Sequence, residues 1–178
     1  MTEGRKRNII HAYKHFHVLY FNKEWENASK YKRVKKPQYL PSEEILQQII
    51  AGVPHKYKPF CQLLLEAGLS SLEAWLLKWS DINFETRHVN ITPIKNRNPR
   101  TLPLSQKLLN MIQLLPRGSE FIFKKGTLDS FRGGFRKHRV KLALELNEPE
   151  ILKCNFKTFR TFYITKCSYK FNDPFEVQ

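Results

Sequence analysis

Between Pro41 and Trp79 three apolar runs follow one another, separated by residues that start or stop helices. Pro41-Ser42 opens the first. A serine side chain accepts from the free amides of a helix's first turn, and Glu43 and Glu44 place negative charge at the positive end of its dipole. Ile45, Ile49 and Ile50 follow at helical spacing and the run closes at Gly52. The second run covers about Lys58 to Ala67 and stops at Gly68, because glycine enters the left-handed conformation that ends a helix at little steric cost. The third spans Ser71 to Trp79, where Trp75 and Trp79, four apart, read as core packing and not as platforms for stacked bases. Such a chain folds around packed helices, not around a large sheet.

The remainder adds one hairpin and more helix. Residues 88–94 (HVNITPI) and 100–105 (RTLPLS) read as two short strands around the polar turn Asn96-Arg97-Asn98-Pro99. Ser105 to Leu115 is helical, Phe121-Ile122-Phe123 a short apolar strand, and Leu128 to Leu146 a long basic helix. Within that helix Gly133-Gly134 marks a break or a close approach, being too bare for a phosphate loop. Asn155 to Phe171 is the last full helix, and Asp173-Pro174 starts another. The expected fold class is mainly α with a small antiparallel β-sheet. Ahead of this body, Asn8 to Glu24 carries Ile9, Tyr13, Phe16, Leu19 and Tyr20 at helical spacing, followed by a basic, proline-bounded extended linker. The expected divisions are residues 1–28, a linker at 29–40, and a body at 41–178.

Charge narrows the function classes. The net charge is +15, which attracts a polyanion. Residues 1–37 hold ten Lys/Arg against three acids, residues 38–90 four against six, and residues 91–178 seventeen against seven. A near-neutral core segment between two basic ones suggests a folded body with a positive face. A solvated basic surface or electrostatic membrane contact would also account for the charge, but no apolar helix face offers an anchor. No apolar run approaches the roughly 18 residues that span a membrane, and the N-terminus has no secretory pattern. Cys61, Cys154 and Cys167 lie far apart, which fits a reducing compartment, the cytoplasm, and neither a disulfide framework nor a zinc site. His11 and His15 lie four apart without an accompanying carboxylate or cysteine, so no metal and no cofactor are expected.

Three stretches carry a resemblance. The first is Leu64-Leu65-Glu66-Ala67-Gly68-Leu69-Ser70-Ser71-Leu72-Glu73, continuing to Leu77-Lys78-Trp79-Ser80-Asp81-Ile82. The second is the hairpin, with Lys95 before its turn and Leu102-Pro103-Leu104 after it. The third is Lys157-Thr158-Phe159-Arg160. In this order they resemble the catalytic domain of tyrosine recombinases, the phage integrase family, including types carried by archaeal viruses and plasmids. The resemblance covers residues 40–178, and the first helix resembles the end of that family's core-binding domain. It implies cutting and rejoining of double-stranded DNA by a tyrosine that attacks a phosphodiester without a metal. It further implies two arginines that clamp the phosphate oxygens, where extra negative charge develops, and a hairpin lysine that protonates the departing oxygen. By resemblance Arg160 is the second arginine, Lys95 the hairpin lysine and Lys157 the residue at a position usually held by histidine. Glu73 matches the family's supporting acid.

The departures count equally. Where the family has its first arginine this chain has Ser70, whose neutral hydroxyl cannot replace a guanidinium; losing one such clamp costs on the order of 10²- to 10³-fold in rate. Ser70-Ser71-Leu72-Glu73 instead spells a helix capping box. Asn172 to Gln178 resembles the lead-in to the family's Leu-Gly-His segment, so the chain is expected to stop before the nucleophilic tyrosine. Tyr163 and Tyr169 share a helix with Arg160, whereas the family's tyrosine lies on a later one.

Candidate DNA contacts are Lys35 and Lys36 in the linker, Arg97 and Arg100 beside Lys95 at the hairpin, and Arg132, Arg136, Lys137 and Arg139 on the long helix. Each has an ordinary alternative. Lys95 reads also as a solvated hairpin lysine, and the long helix as an exposed basic face. Arg160, among Phe156, Phe159, Phe162 and Tyr163, needs an anion, either a phosphate or Glu73. The function expected is a DNA-binding integrase homologue, acting alone or as a homo-oligomer on DNA, that does not cleave by itself. The alternatives are an active recombinase whose tyrosine comes from another subunit, and a non-catalytic DNA-binding regulator on the same fold.

Overall fold

The computed structural model describes residues 3–23, 39–92, 94 and 98–171. It divides into two units, Met1–Gln38 and Tyr39–Gln178. In the first, α1 (Glu3–Phe21) is one continuous helix. Phe16 and Tyr20, four residues apart and so on one side of it, stack with ring centroids 4.7 Å apart. The linker lysines Lys35 and Lys36 lie outside the described residues.

The second unit runs α2 (Glu43–Gly52), α3 (Lys58–Ala67), α4 (Ser71–Trp75), a 3₁₀ turn at Trp79–Asp81, then β1 (Ile82–Asn83), β2 (His88–Ile91) and β3 (Arg100–Pro103). It continues with α5 (Gln106–Gln113), α6 (Leu128–Glu145), a second 3₁₀ turn at Pro149–Lys153, and α7 (Phe156–Phe171). This is the mainly helical class with a small sheet, the strands antiparallel in the order β1-β2-β3. Local chemistry sets the boundaries. Ser42 Oγ accepts from the Ile45 amide at 3.4 Å to start α2. Gly68, at φ 59° and ψ 25°, ends α3 by donating its N–H to Leu64 O.

The core is built on α3, with Phe60, Leu63 and Leu64 wholly buried. It packs against α2, α4, α5 and α7. The Phe60 ring meets Phe123, Phe131 and Phe156 at 5.1, 5.0 and 4.8 Å between centroids, tying the first turn of α3 to the segment before α6, to α6 and to α7. Each such side chain removed from water contributes roughly 1.5–3 kcal/mol. The long helix α6 is unbroken at its glycines. Gly134 is a close approach: a Cβ there would collide with the Tyr57 hydroxyl, whereas Gly133 faces open space.

Three sequence expectations shift. The helix expected from Ser71 to Trp79 ends at Trp75. Leu77 and Trp79 give up helical bonding to pair with the segment at 120–122: Ile122 N donates to Leu77 O and Trp79 N to Glu120 O. Correspondingly Phe121-Ile122-Phe123 forms no strand, only a bridge between Phe121 and Lys78. Third, β1 was not foreseen. It pairs Ile82 with Val89 and Asn83 with His88, across a turn in which Asn83 Oδ1 accepts from the Glu85 and Thr86 amides. The helix expected from Asp173-Pro174 lies outside the described residues.

Candidate nucleic-acid interface

The site begins with a helix cap. Ser70, extended at φ −70° and ψ 153°, starts α4. Its Oγ accepts from the Glu73 amide at 3.2 Å, and its own amide donates to Glu73 Oε2 at 2.7 Å. This reciprocal capping box satisfies two amides that a helix start leaves open. It also folds the Glu73 side chain back over the start of α4, where 1% of it remains exposed.

Two guanidiniums reach that carboxylate. Arg100 Nη2 lies 3.4 Å and Arg160 Nη1 3.5 Å from the same atom, Glu73 Oε2. Both arginine side chains remain 23% exposed. Burial alone would push the Glu73 carboxyl up. The Ser70 amide and hydroxyl, then the charges of Arg100 and Arg160, outweigh it and hold the carboxyl below its ordinary value.

The elements explain the convergence. In β3 the side chains of Arg100 and Leu102 are half-buried while Thr101 and Pro103 are exposed. Arg100 also pairs across the ladder with buried Ile91, and directly opposed residues share a face. Arg100 therefore points inward, not out at the hairpin tip as expected. Arg160 follows buried Thr158 and Phe159 on α7, whose start is fixed by Asn155 Oδ1 accepting from the Lys157 and Thr158 amides. Lys157 is exposed one turn before Arg160, on the neighbouring i, i+3 position. One turn beyond, the Tyr163 ring packs over Gly68, leaving no room for a Cβ. Lys95 and Arg97 lie outside the described residues.

The other candidates spread along α6. Arg132 pairs with Asp129 at 3.0 Å on the surface, and Arg136 and Lys137 are exposed. Arg139 differs: it is half-buried, its guanidinium lies 5.8 Å from the Phe135 ring centroid, and its Nε is enclosed. Sequence reasoning missed Lys56 and Lys125. With Ser130 and Lys137 they line an open pocket of about 440 Å³ over the α6 glycines. Their separation in sequence hid this; only the Gly133-Gly134 pair hinted at a concavity. No described helix is long and apolar enough to cross a membrane.

Comparison with known proteins bears on the family and the fold. The model of the phage integrase family matches residues 40–145. The tyrosine recombinase XerD-like protein of Lactococcus lactis subsp. cremoris (strain SK11) is 30% identical over 130 residues, 68% of this chain and 52% of that protein. The chain thus spans about half the length of the curated relative it matches. Among solved structures, the Tn1549 transposon integrase in complex with transposon right end DNA superposes with a TM-score of 0.67 at 18% identity, over 81% of this chain and 57% of that one. The catalytic domain of bacteriophage HP1 integrase gives 0.54 at 17% identity, over 75% and 74%. These likenesses show a shared fold, that of integrase catalytic domains. The family match covers more than half of the residues, and this chain belongs to the phage integrase family.

Proposed function

We propose that this domain binds double-stranded DNA through its phosphates, with Arg160 and Arg100 at the centre of the contact, and does not cleave DNA by itself. The observation that carries the reading is the fixed placement of two partly exposed guanidiniums on one buried carboxylate. Around them Lys157 adds exposed positive charge on α7, and Lys95 and Arg97, named from the hairpin sequence alone, are further candidates for phosphate contact. Arg132, Arg136 and Lys137 on α6 add exposed positive charge, Arg139 contributes from a half-buried position, and Lys35 and Lys36 are separate candidates from the sequence ahead of this unit. Such contacts position a duplex without reading its sequence. Ser70 supports the non-cleaving part: its hydroxyl and amide are engaged in the cap, and the position supplies no charge to a developing phosphorane. The protein works in the cytoplasm, on DNA of a mobile element, where more than one copy assembles on a site.

A nicked suicide duplex that traps any covalent protein–DNA intermediate tests this reading. Retained, salt-sensitive binding with no covalent adduct is expected. An adduct would overturn the non-cleaving assignment and favour a recombinase, including one that receives its tyrosine from another subunit. Absence of binding at low salt would overturn the DNA-binding assignment. Preference for an attachment sequence of a mobile element separates an integrase role from that of a regulator.

A further inference from the structure

We infer that the pocket over the first turns of α6 is a separate anion site, which takes one phosphate group without any part of the arginine site. It shares only Lys137 with the reading above and needs neither Arg160 nor Glu73. Lys56 comes from the turn between α2 and α3, Lys125 from the segment before α6, and Lys137 from α6 itself. All three are exposed, and among the described residues no acidic side chain lines the pocket with them. Asp129, in the first turn of α6, is paired with Arg132 at 3.0 Å instead. A concavity lined by one sign of charge concentrates the local field and draws the opposite ion, and lysine serves phosphate as a point charge. The volume of about 440 Å³ admits a phosphodiester with atoms of its flanking sugars.

Two further features separate this pocket from a plain solvated face. Tyr57 is 1% exposed, and its hydroxyl lies against Gly134, which also lines the pocket. Among the described residues that hydroxyl has no hydrogen-bond partner, and a buried donor left unsatisfied is costly. A phosphate oxygen in the pocket accepts from it. Gly134 is explained by Tyr57, but Gly133 is not: a Cβ there would meet nothing within 4 Å. Glycine inside a helix is less favourable than alanine, so internal packing gives no reason for Gly133. A bare backbone beside the lysines supplies one, because it lets a ligand approach α6 closely.

The test uses the full chain in two arms. In the first, inorganic phosphate replaces chloride at constant ionic strength and the thermal midpoint is read. A ligand of the folded state raises that midpoint, and phosphate as a salt raises it for any fold, so the variants set the baseline. The rise should be larger for the wild type than for the Lys56→Gln/Lys125→Gln double variant, for Tyr57→Phe, which changes no charge, and for Gly133→Glu, whose side chain has open space. In the second arm a mixed-sequence duplex is titrated with potassium chloride. If the phosphate comes from the DNA backbone, the double variant should bind about tenfold more weakly, with the slope of log K against log salt lowered by about 1, and Tyr57→Phe should weaken binding as well. Wild-type duplex affinity in both, with the difference in midpoints kept, identifies a free phosphate group as the ligand. Equal phosphate response in the wild type and all three variants, with unchanged duplex affinity, would overturn the inference. Failure of the DNA-binding reading shows separately, as absence of duplex binding by the wild type, and leaves the first arm untouched.

Discussion

Arg160 Nη1 stands 3.5 Å from Glu73 Oε2 across 87 residues of chain, so the last described helix is joined to the first turn of α4 through a buried charge. The pair does two things. It fixes the direction of the Arg160 side chain, and it makes the position of Glu73 a condition for the geometry of the whole cationic site. The capping box of Ser70 and Glu73 is thus both a helix start and the foundation on which the arginines rest.

Acid should loosen this foundation in a defined direction. The folded state holds the Glu73 carboxyl below its ordinary value, about 4.3 in an unfolded chain. The unfolded chain therefore binds that proton more readily. The stability Glu73 contributes is fully present above the unfolded value and is lost as pH falls through the lower folded one. Glu73→Gln should be less stable near neutrality and should lose less further stability on acidification. Urea midpoints measured over a pH series check this; parallel profiles for wild type and variant would contradict it.

Phe60 joins three elements, and its removal leaves a cavity that none of them can close alone. Phe60→Ala should cost about 3–5 kcal/mol, read from denaturant unfolding. A loss under about 1 kcal/mol would mean that α3 is not the centre of the core.

Gly68 is the position where backbone and packing agree most sharply. At φ 59° an alanine is strained, by about 1–2 kcal/mol, and its methyl would collide with the Tyr163 ring. Gly68→Ala should destabilise the fold by about 2 kcal/mol or more and disturb α7 near Arg160. Equal stability of the variant and the wild type would show that Tyr163 moves aside without cost.

The three thiols should separate by accessibility. Cys61 and Cys154 are buried, which pushes both thiols up, that of Cys154 to about 11, while Cys167 is half-exposed. A thiol reagent applied to the folded protein should modify Cys167 first and the other two only on unfolding. Rapid native labelling of Cys61 would contradict the core described for α3.

Much of this was legible in the chain. The limits of α3 and its glycine stop followed from local chemistry, because a left-handed residue after an apolar helical run has one economical use. The Ser70 cap was legible for the same reason. The end of α4 was not: nothing between Ser71 and Trp79 interrupts a helix, and only pairing with residues 120–122 pulls Leu77 and Trp79 out of it. Phe121 was misread from the same cause, an apolar triplet whose partner is a single bridge. Arg100 was placed correctly in sequence but not in space. Its alternation with Leu102 marks an inward position, and that signal was outweighed by its closeness to the hairpin tip.

The affinity of the protein for duplex DNA across a salt series, wild type against Arg160→Ala, addresses the central claim most directly. A folded variant should bind all sequences more weakly and show a slope of log K against log salt reduced by about 1, the loss of one phosphate contact. The same affinity and the same slope as wild type would contradict it and leave Arg160 as an internal partner of Glu73 only.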